Sequence, residues 1–260
     1  MKTIYQKAAV ALALSCALPA VAHDIALLPE PEGNLTVRYG HPGDWLPTDK
    51  ERLLAVSILQ AGAKPQLLVS PLIKNQLALT TLGKAVTNGE AAIVATRYDN
   101  GLWVSTVGVD GKEAFHNTSK AMLPEGKNSL LSLKFAKGLF GKTDDATVYQ
   151  LPVGHLLEVI PLQNPILKKP NETLEVLVRF KGKPLADAEV EITDDSVLTT
   201  VGQAKYKTDA QGVAKIPIKL AGLNVVSVDY KHPNNGSLGK AFQAIPVSNV
   251  MMVATYAFRN

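Results

Sequence analysis

The sequence predicts a mostly β fold, and three observations predict it. Short runs of alternating apolar and polar residues recur along the chain. Clusters of Gly, Pro, Asn and Asp separate those runs. Helical periodicity with capping residues is hard to find in any stretch.

The first segment stands apart. Lys2 and Lys7 flank the start of an apolar run from Ala8 to Leu18, and Ala20-Val21-Ala22 stands just before His23-Asp24. A basic n-region, a short apolar h-region and an Ala-x-Ala site predict a secretory signal peptide over residues 1–22, cut after Ala22. The run is shorter than the roughly 20 apolar residues that span a bilayer. Ala13-Leu14-Ser15 before Cys16 fits a lipoprotein signal poorly. Cys16 is the one cysteine of the chain, so the mature protein would have no disulfides, thiolate metal sites or cysteine nucleophile. Roughly 240 mature residues suffice for one large or two small domains with real cores. The formal charge of +4 loses Lys2 and Lys7 and no acid, leaving +2. Lysines are scattered rather than striped, which argues against nucleic acid as a partner. The expected product is a periplasmic protein with no stable membrane insertion after cleavage.

In the mature chain, Asn34 to Tyr39, Leu53 to Leu59, Ala91 to Tyr98 and Leu102 to Val107 read as strands. Asp99-Asn100-Gly101 between the last two is a hairpin signal, because Asn-Gly supplies positive φ angles. Ser129 to Ala136 reads as a strand or a short helix. Pro161, Asn164-Pro165 and Lys168-Lys169-Pro170-Asn171 punctuate a boundary. It divides an N-terminal β-domain (23–162) from a linker (163–171) and a C-terminal unit (172–260). In that unit Leu174 to Phe180 and Ala188 to Ile192 alternate, and Val213 to Ile218 and Leu223 to Tyr230 follow as strands after turns. Such spacing predicts a small antiparallel β-sandwich, and the extended stretch Asn249 to Arg259 is placed to close a sheet.

The histidines are His23, His41, His116, His155 and His232. No zincin helix, Gly-x-Ser-x-Gly elbow, P-loop or Rossmann glycine pattern occurs. Without cysteine, a metal site must draw on imidazole, carboxylate and the terminal amine. As a first residue, His23 would carry an imidazole and a free α-amino group, two nitrogens that close a chelate ring on a metal ion. The plainer reading is a frayed terminus. The apolar run Ile25 to Pro29 is expected to pack as a strand and hold it. His41 leaves a strand into the loop Pro42-Gly43-Asp44, where scaffolded loop residues often serve function; the plainer reading is a surface turn. Asp44 is close enough in sequence to orient that imidazole. His232 ends a strand before Pro233-Asn234-Asn235-Gly236. Strand ends meet in space, so His23, His41 and His232 form the candidate ligand set. Asp24 is either a further ligand or the partner of a nearby base. His155 sits among apolar residues and reads as packing, and His116 as a loop residue. Asp144-Asp145 and Asp194-Asp195 read as solvated turns, and Trp45 and Trp103 as packing residues.

Several motifs occur in a telling order: Ala22-His23-Asp24 with Leu28-Pro29, Tyr39-Gly40-His41, Leu157-Glu158-Val159-Ile160-Pro161-Leu162 with Asn164-Pro165, Gly182-Lys183-Pro184-Leu185-Ala186-Asp187-Ala188, and Thr208-Asp209-Ala210-Gln211-Gly212. The series resembles the DUF4198 family of periplasmic proteins, associated with nickel and cobalt uptake systems. The resemblance implies an N-terminal β-domain followed by an immunoglobulin-like or carboxypeptidase-regulatory-like β-sandwich. It carries metal handling onto His23, Asp24 and His41, and onto His232 through its strand-end position. Family members commonly have aromatic residues after His-Asp; here Ile25-Ala26 stand instead.

The expected function is therefore binding and transfer rather than catalysis. The protein would hold a divalent transition metal, nickel or cobalt first and copper or zinc as alternatives, for a metal uptake transporter or an outer-membrane receptor. A second reading is a copper-binding histidine brace, with His23 and one other histidine; its enzymatic version is a copper-dependent oxidative enzyme. A third is a metal-free β-sandwich interaction module.

Overall fold

The computed structural model describes residues 23–29, 34–41, 44–60, 62, 64, 66–67, 73–74, 78–81, 90–194 and 204–260. The expected leader, Cys16, Pro42, Gly43 and Asp195 lie outside the described residues. The first half of the chain carries β1 (Asp24–Pro29), β2 (Leu35–His41), β3 (Asp44–Leu46), β4 (Leu53–Leu59), β5 (Gln66–Leu67), β6 (Ile73–Lys74), β7 (Ala78–Thr81), β8 (Ala92–Val107), β9 (Glu113–His116) and β10 (Ser129–Phe140). The second half carries β11 (Leu157–Pro161), β12 (Thr173–Phe180), β13 (Lys183–Pro184), β14 (Glu189–Asp194), β15 (Tyr206–Lys207), β16 (Val213–Pro217), β17 (Leu223–Pro233) and β18 (Asn249–Arg259). Helix is confined to short turns among the described residues. The mostly β expectation holds.

Three sheets are formed by these strands. The central one has nine strands in the order β15-β14-β17-β18-β10-β8-β4-β5, with β9 beside β8. One of its faces is covered by the four-stranded sheet of β11, β12, β13 and β16. Period-two alternation builds that interface: Leu174, Val176 and Val178 on β12 and Ala214 and Ile216 on β16 pack with Val190, Val226, Val228, Met252 and Tyr256 of the central sheet. The other face is covered by the sheet of β1, β2, β3, β6 and β7. Here Ile25 and Leu27 of β1 and Leu35, Val37 and Tyr39 of β2 pack with Val94, Tyr98, Ala136 and Phe140. Each fully buried side chain of this size stabilises by about 1.5–3 kcal/mol.

The central sheet runs across the boundary expected at 163–171. Strand β18 pairs in parallel with β10 from Leu130↔Asn249 to Gly138↔Ala257 and antiparallel with β17 on its other side. Residues 172–260 do supply two facing sheet portions, yet their last strand sits between strands from both halves.

The hairpin expected at Asp99-Asn100-Gly101 is not formed. β8 continues through it as a single 16-residue strand. The positive φ of Gly101 (81°) serves a β-bulge instead, where the ladder to β10 shifts between Ser132 and Leu133. Asn100 is held inside that bulge. It is buried, its amide donates to Ser132 Oγ at 3.2 Å, and its main-chain carbonyl accepts from Arg52 at 3.0 Å and from the Trp103 indole at 2.9 Å. A buried, satisfied asparagine keeps the strand extended where a solvated one would turn.

Strand β1 lies along the central sheet over β10 and β18. Thr255 Oγ1 donates to the Ile25 carbonyl at 2.6 Å and Arg259 Nε to the Pro29 carbonyl at 3.1 Å. At Gly138 the approach is so close that a Cβ would stand 2.4 Å from the Leu27 carbonyl oxygen. On the opposite face, buried Lys137 forms an ion pair with Glu158 of β11 at 2.9 Å, and the Val153 N–H donates to the same carboxylate at 2.7 Å.

Candidate metal centre

The candidate site is built at the N-terminal end of β1. The β1–β2 ladder begins at Asp24↔Gly40 and runs antiparallel to Pro29↔Leu35. The backbone of position 41 follows directly on that first pair, as residue 23 precedes it, so the β1–β2 register brings the two positions to the same end of the ladder although 18 positions separate them in sequence. The backbone of His41 also opens the β2–β3 hairpin opposite Asp44; the side chains of both lie outside the described residues.

The surroundings of His23 are ordered. Its ring is half-buried and lies 5.5 Å, centroid to centroid, from the ring of Tyr39. Tyr39 stacks on Tyr98 at 5.4 Å and donates its hydroxyl to Asn100 Oδ1 at 3.1 Å. Burial raises the pKa of the Tyr39 phenol and pushes that of Tyr98 up to about 12, so both remain neutral donors around neutral pH. The bulge on β8 therefore supports the aromatic floor under His23.

Asp24 faces a different environment. It is 6% exposed and borders a cleft of about 300 Å³ with Asp187, Glu189, Glu191, Lys205 and Asp229. The buried ammonium of Lys134 on β10 donates to the His23 carbonyl and is attracted by Asp24 and Asp229. Burial drives the Lys134 pKa down to about 8, against the raising influence of those two carboxylates. Lys134 Nζ also stands 5.8 Å from the centroid of Tyr39. Lys134 is thus a base whose charge Asp24 influences.

His232 is not brought to this site. Alternation along β17 puts Val226, Val228 and Tyr230 on the side of the four-stranded sheet, and His232 shares that parity. Its ring packs on Phe180 at 5.1 Å and near Tyr230 at 6.0 Å. Both ring nitrogens have local partners, the Pro233 carbonyl at 2.7 Å and Ser237 Oγ at 3.2 Å. Val225 and Asp229, by contrast, stand with β1 on the other face. His116 shares a 2.8 Å hydrogen bond with Thr106 on the exposed β8–β9 ribbon. His155 packs on Phe135 at 5.3 Å, and burial, with Lys137 and Arg97 nearby, drives its pKa down to about 3. Neither stands with His23.

Among the described residues no three His, Cys, Asp or Glu side chains stand close enough to hold a metal ion. Of the expected ligands, His23 alone has its imidazole described at this end of β1. Sequence reasoning missed Lys134, Tyr39 and Asn100. The available signal was Lys134 itself, a charge inside the apolar run Ser129 to Phe140.

Comparison with known proteins gives one informative match. The family described as "Domain of unknown function (DUF4198)" matches residues 20–232, a span that includes His23, Asp24, His41 and His232. No curated protein matches the chain in sequence. Among solved structures, "D0-D1 domain of Intimin" is 14% identical, covering 92% of this chain and 97% of that one, with a TM-score of 0.22 that supports no structural inference. Matched over most of its length, the chain belongs to the DUF4198 family.

Proposed function

We propose that this protein is a periplasmic carrier that binds a divalent transition metal, nickel or cobalt first, and passes it to an uptake transporter or outer-membrane receptor. The observation that supports the reading is the β1–β2 register, whose first pair, Asp24↔Gly40, is flanked by residues 23 and 41 at the end of an anchored strand. Imidazole binds these metals as the neutral ring, and an α-amine loses its proton to bind, so a chelate through residue 23 is accessible near neutral pH. No described helix is long and apolar enough to cross a membrane, which agrees with a carrier released by signal cleavage.

The same geometry favours one second reading. Three nitrogen donors, two imidazoles and an amine, suit Cu(II), whose intrinsic affinity for such sites exceeds that of nickel and cobalt. A copper-binding histidine brace is therefore the rival identity for the same residues.

Calorimetry of the mature chain with nickel, cobalt and copper tests both. One ion per protein, with affinity lost in His41→Ala and kept in His116→Ala, is the expected result. Copper alone binding selects the brace. No ion binding, or binding indifferent to His41, contradicts the metal reading.

A further inference from the structure

Lys134 is buried to 1% exposure in the middle of the central sheet, a position where lysine is almost never found without a purpose-built set of partners. Its row in the sheet explains the partners. Lys134 pairs with Val253 on β18, and Val253 pairs with Asp229 on β17, so Lys134 and Asp229 occupy the same row two strands apart. β1 crosses that row with Asp24. Along β1, two side chains of β18 grip main-chain carbonyls: Thr255 holds Ile25, and Arg259 holds Pro29. Lys134 holds the first of the series, His23.

We infer that Lys134 is the positioning residue of the N-terminal site. Its ammonium fixes the His23 carbonyl, with Asp24 and Asp229 as its counter-ions, and so presents residue 23 at the same end of the ladder as residue 41. Asp24 then serves as a counter-ion and not as a metal ligand. The functional half of this inference rests on the metal-binding reading; the anchoring half does not. Four partners converge on one buried cation, two carboxylates, a carbonyl and an aromatic ring. Met or Leu would fill the same volume. The charge is retained at the one point where the chain would otherwise be free to fray, since terminal residues are poorly ordered unless tied down.

The test uses the mature full-length chain beginning at His23 and the variant Lys134→Met. In the metal-free protein, amide hydrogen exchange at residues 24–26 is expected to quicken by about tenfold or more, while Leu27 and Leu28, backed by the core and by the Arg259 bond to the Pro29 carbonyl, keep their protection. Nickel affinity is expected to fall by about 10–100-fold, the range for groups that orient a ligand without touching the metal. Asp24→Asn is expected to disturb exchange at residues 24–26 in the same direction and leave the metal-to-protein ratio at one. Unchanged exchange at residues 24–26 overturns the anchoring. Loosening spread evenly along β1 also overturns it, since that is general destabilisation. Quickened exchange with wild-type nickel affinity overturns the link to the site. If the unmutated protein binds no nickel, cobalt or copper, the metal reading fails and the exchange result still decides the anchoring. Should Lys134→Met not fold, Asp229→Asn is measured in its place, with smaller changes in the same directions expected and no local change contradicting the inference.

Discussion

His232 and His155 show how a histidine can be accounted for without a metal. The His232 ring packs at a tilt against Phe180, and both its nitrogens are engaged by nearby residues. His232→Ala is expected to cost about 1 kcal/mol of stability from the lost ring packing and hydrogen bonding and to leave metal affinity within about twofold, well under the 1.4 kcal/mol of a tenfold change. Urea unfolding of that variant checks the first part and a titration with nickel the second. His155 offers a pH test. Its folded pKa is about 3 against an ordinary 6.5, so between those values the unfolded chain holds more protons than the folded one. Stability from this group is full above about pH 6.5 and is lost as pH falls toward 3. Urea unfolding at pH 7 and pH 4.5 should therefore show a smaller loss for His155→Phe than for the unmutated protein. An equal or larger loss would place the acid sensitivity elsewhere.

At the level of elements, β1 depends on two glycines that act in different ways. Gly138 gives β1 room to pass: Ala there would put a methyl 2.4 Å from the Leu27 carbonyl. Gly138→Ala is expected to cost about 1–3 kcal/mol, the usual penalty of overpacking, and to raise exchange along the whole of β1. Gly101→Ala is expected to cost about 1–2 kcal/mol, because its φ of 81° is one that L side chains rarely adopt. Thermal unfolding of the two variants checks both. Strand positions were legible in the sequence wherever alternation was clean, as at Leu53–Leu59, Leu174–Phe180 and Leu223–Tyr230. Asn100-Gly101 was legible as a place of positive φ but not as a bulge. The choice between turn and bulge is made by Ser132, Tyr39 and Arg52, which meet Asn100 from distant parts of the chain.

Over the whole molecule, the two halves are joined by β18, the last strand of the chain. Alternation showed that Asn249 to Arg259 is extended, and gave no sign of which strand it joins, since a parallel pairing across more than a hundred residues leaves no local trace. Residues 172–260 expressed alone would bare the β10 side of β18 and the face that β1 covers, both rich in buried apolar groups. That fragment is expected to aggregate or to lack a cooperative unfolding transition, as judged by circular dichroism and sedimentation. The candidate site was partly legible for a similar reason. The His23-Asp24 start stood out beside the cleavage signal, whereas the nearness of the position 41 backbone and the hold by Lys134 depend on register and on a row across three strands. The central proposal is that cleavage after Ala22 makes His23 a metal ligand through two nitrogens. The most direct test is calorimetric titration of the chain beginning at His23 beside the same chain carrying one added alanine before it, which turns the amine into an amide and keeps every side chain. The account expects affinity for nickel or copper to fall by about 100-fold, equivalent to roughly 2.8 kcal/mol. Equal affinity of the two chains would contradict it.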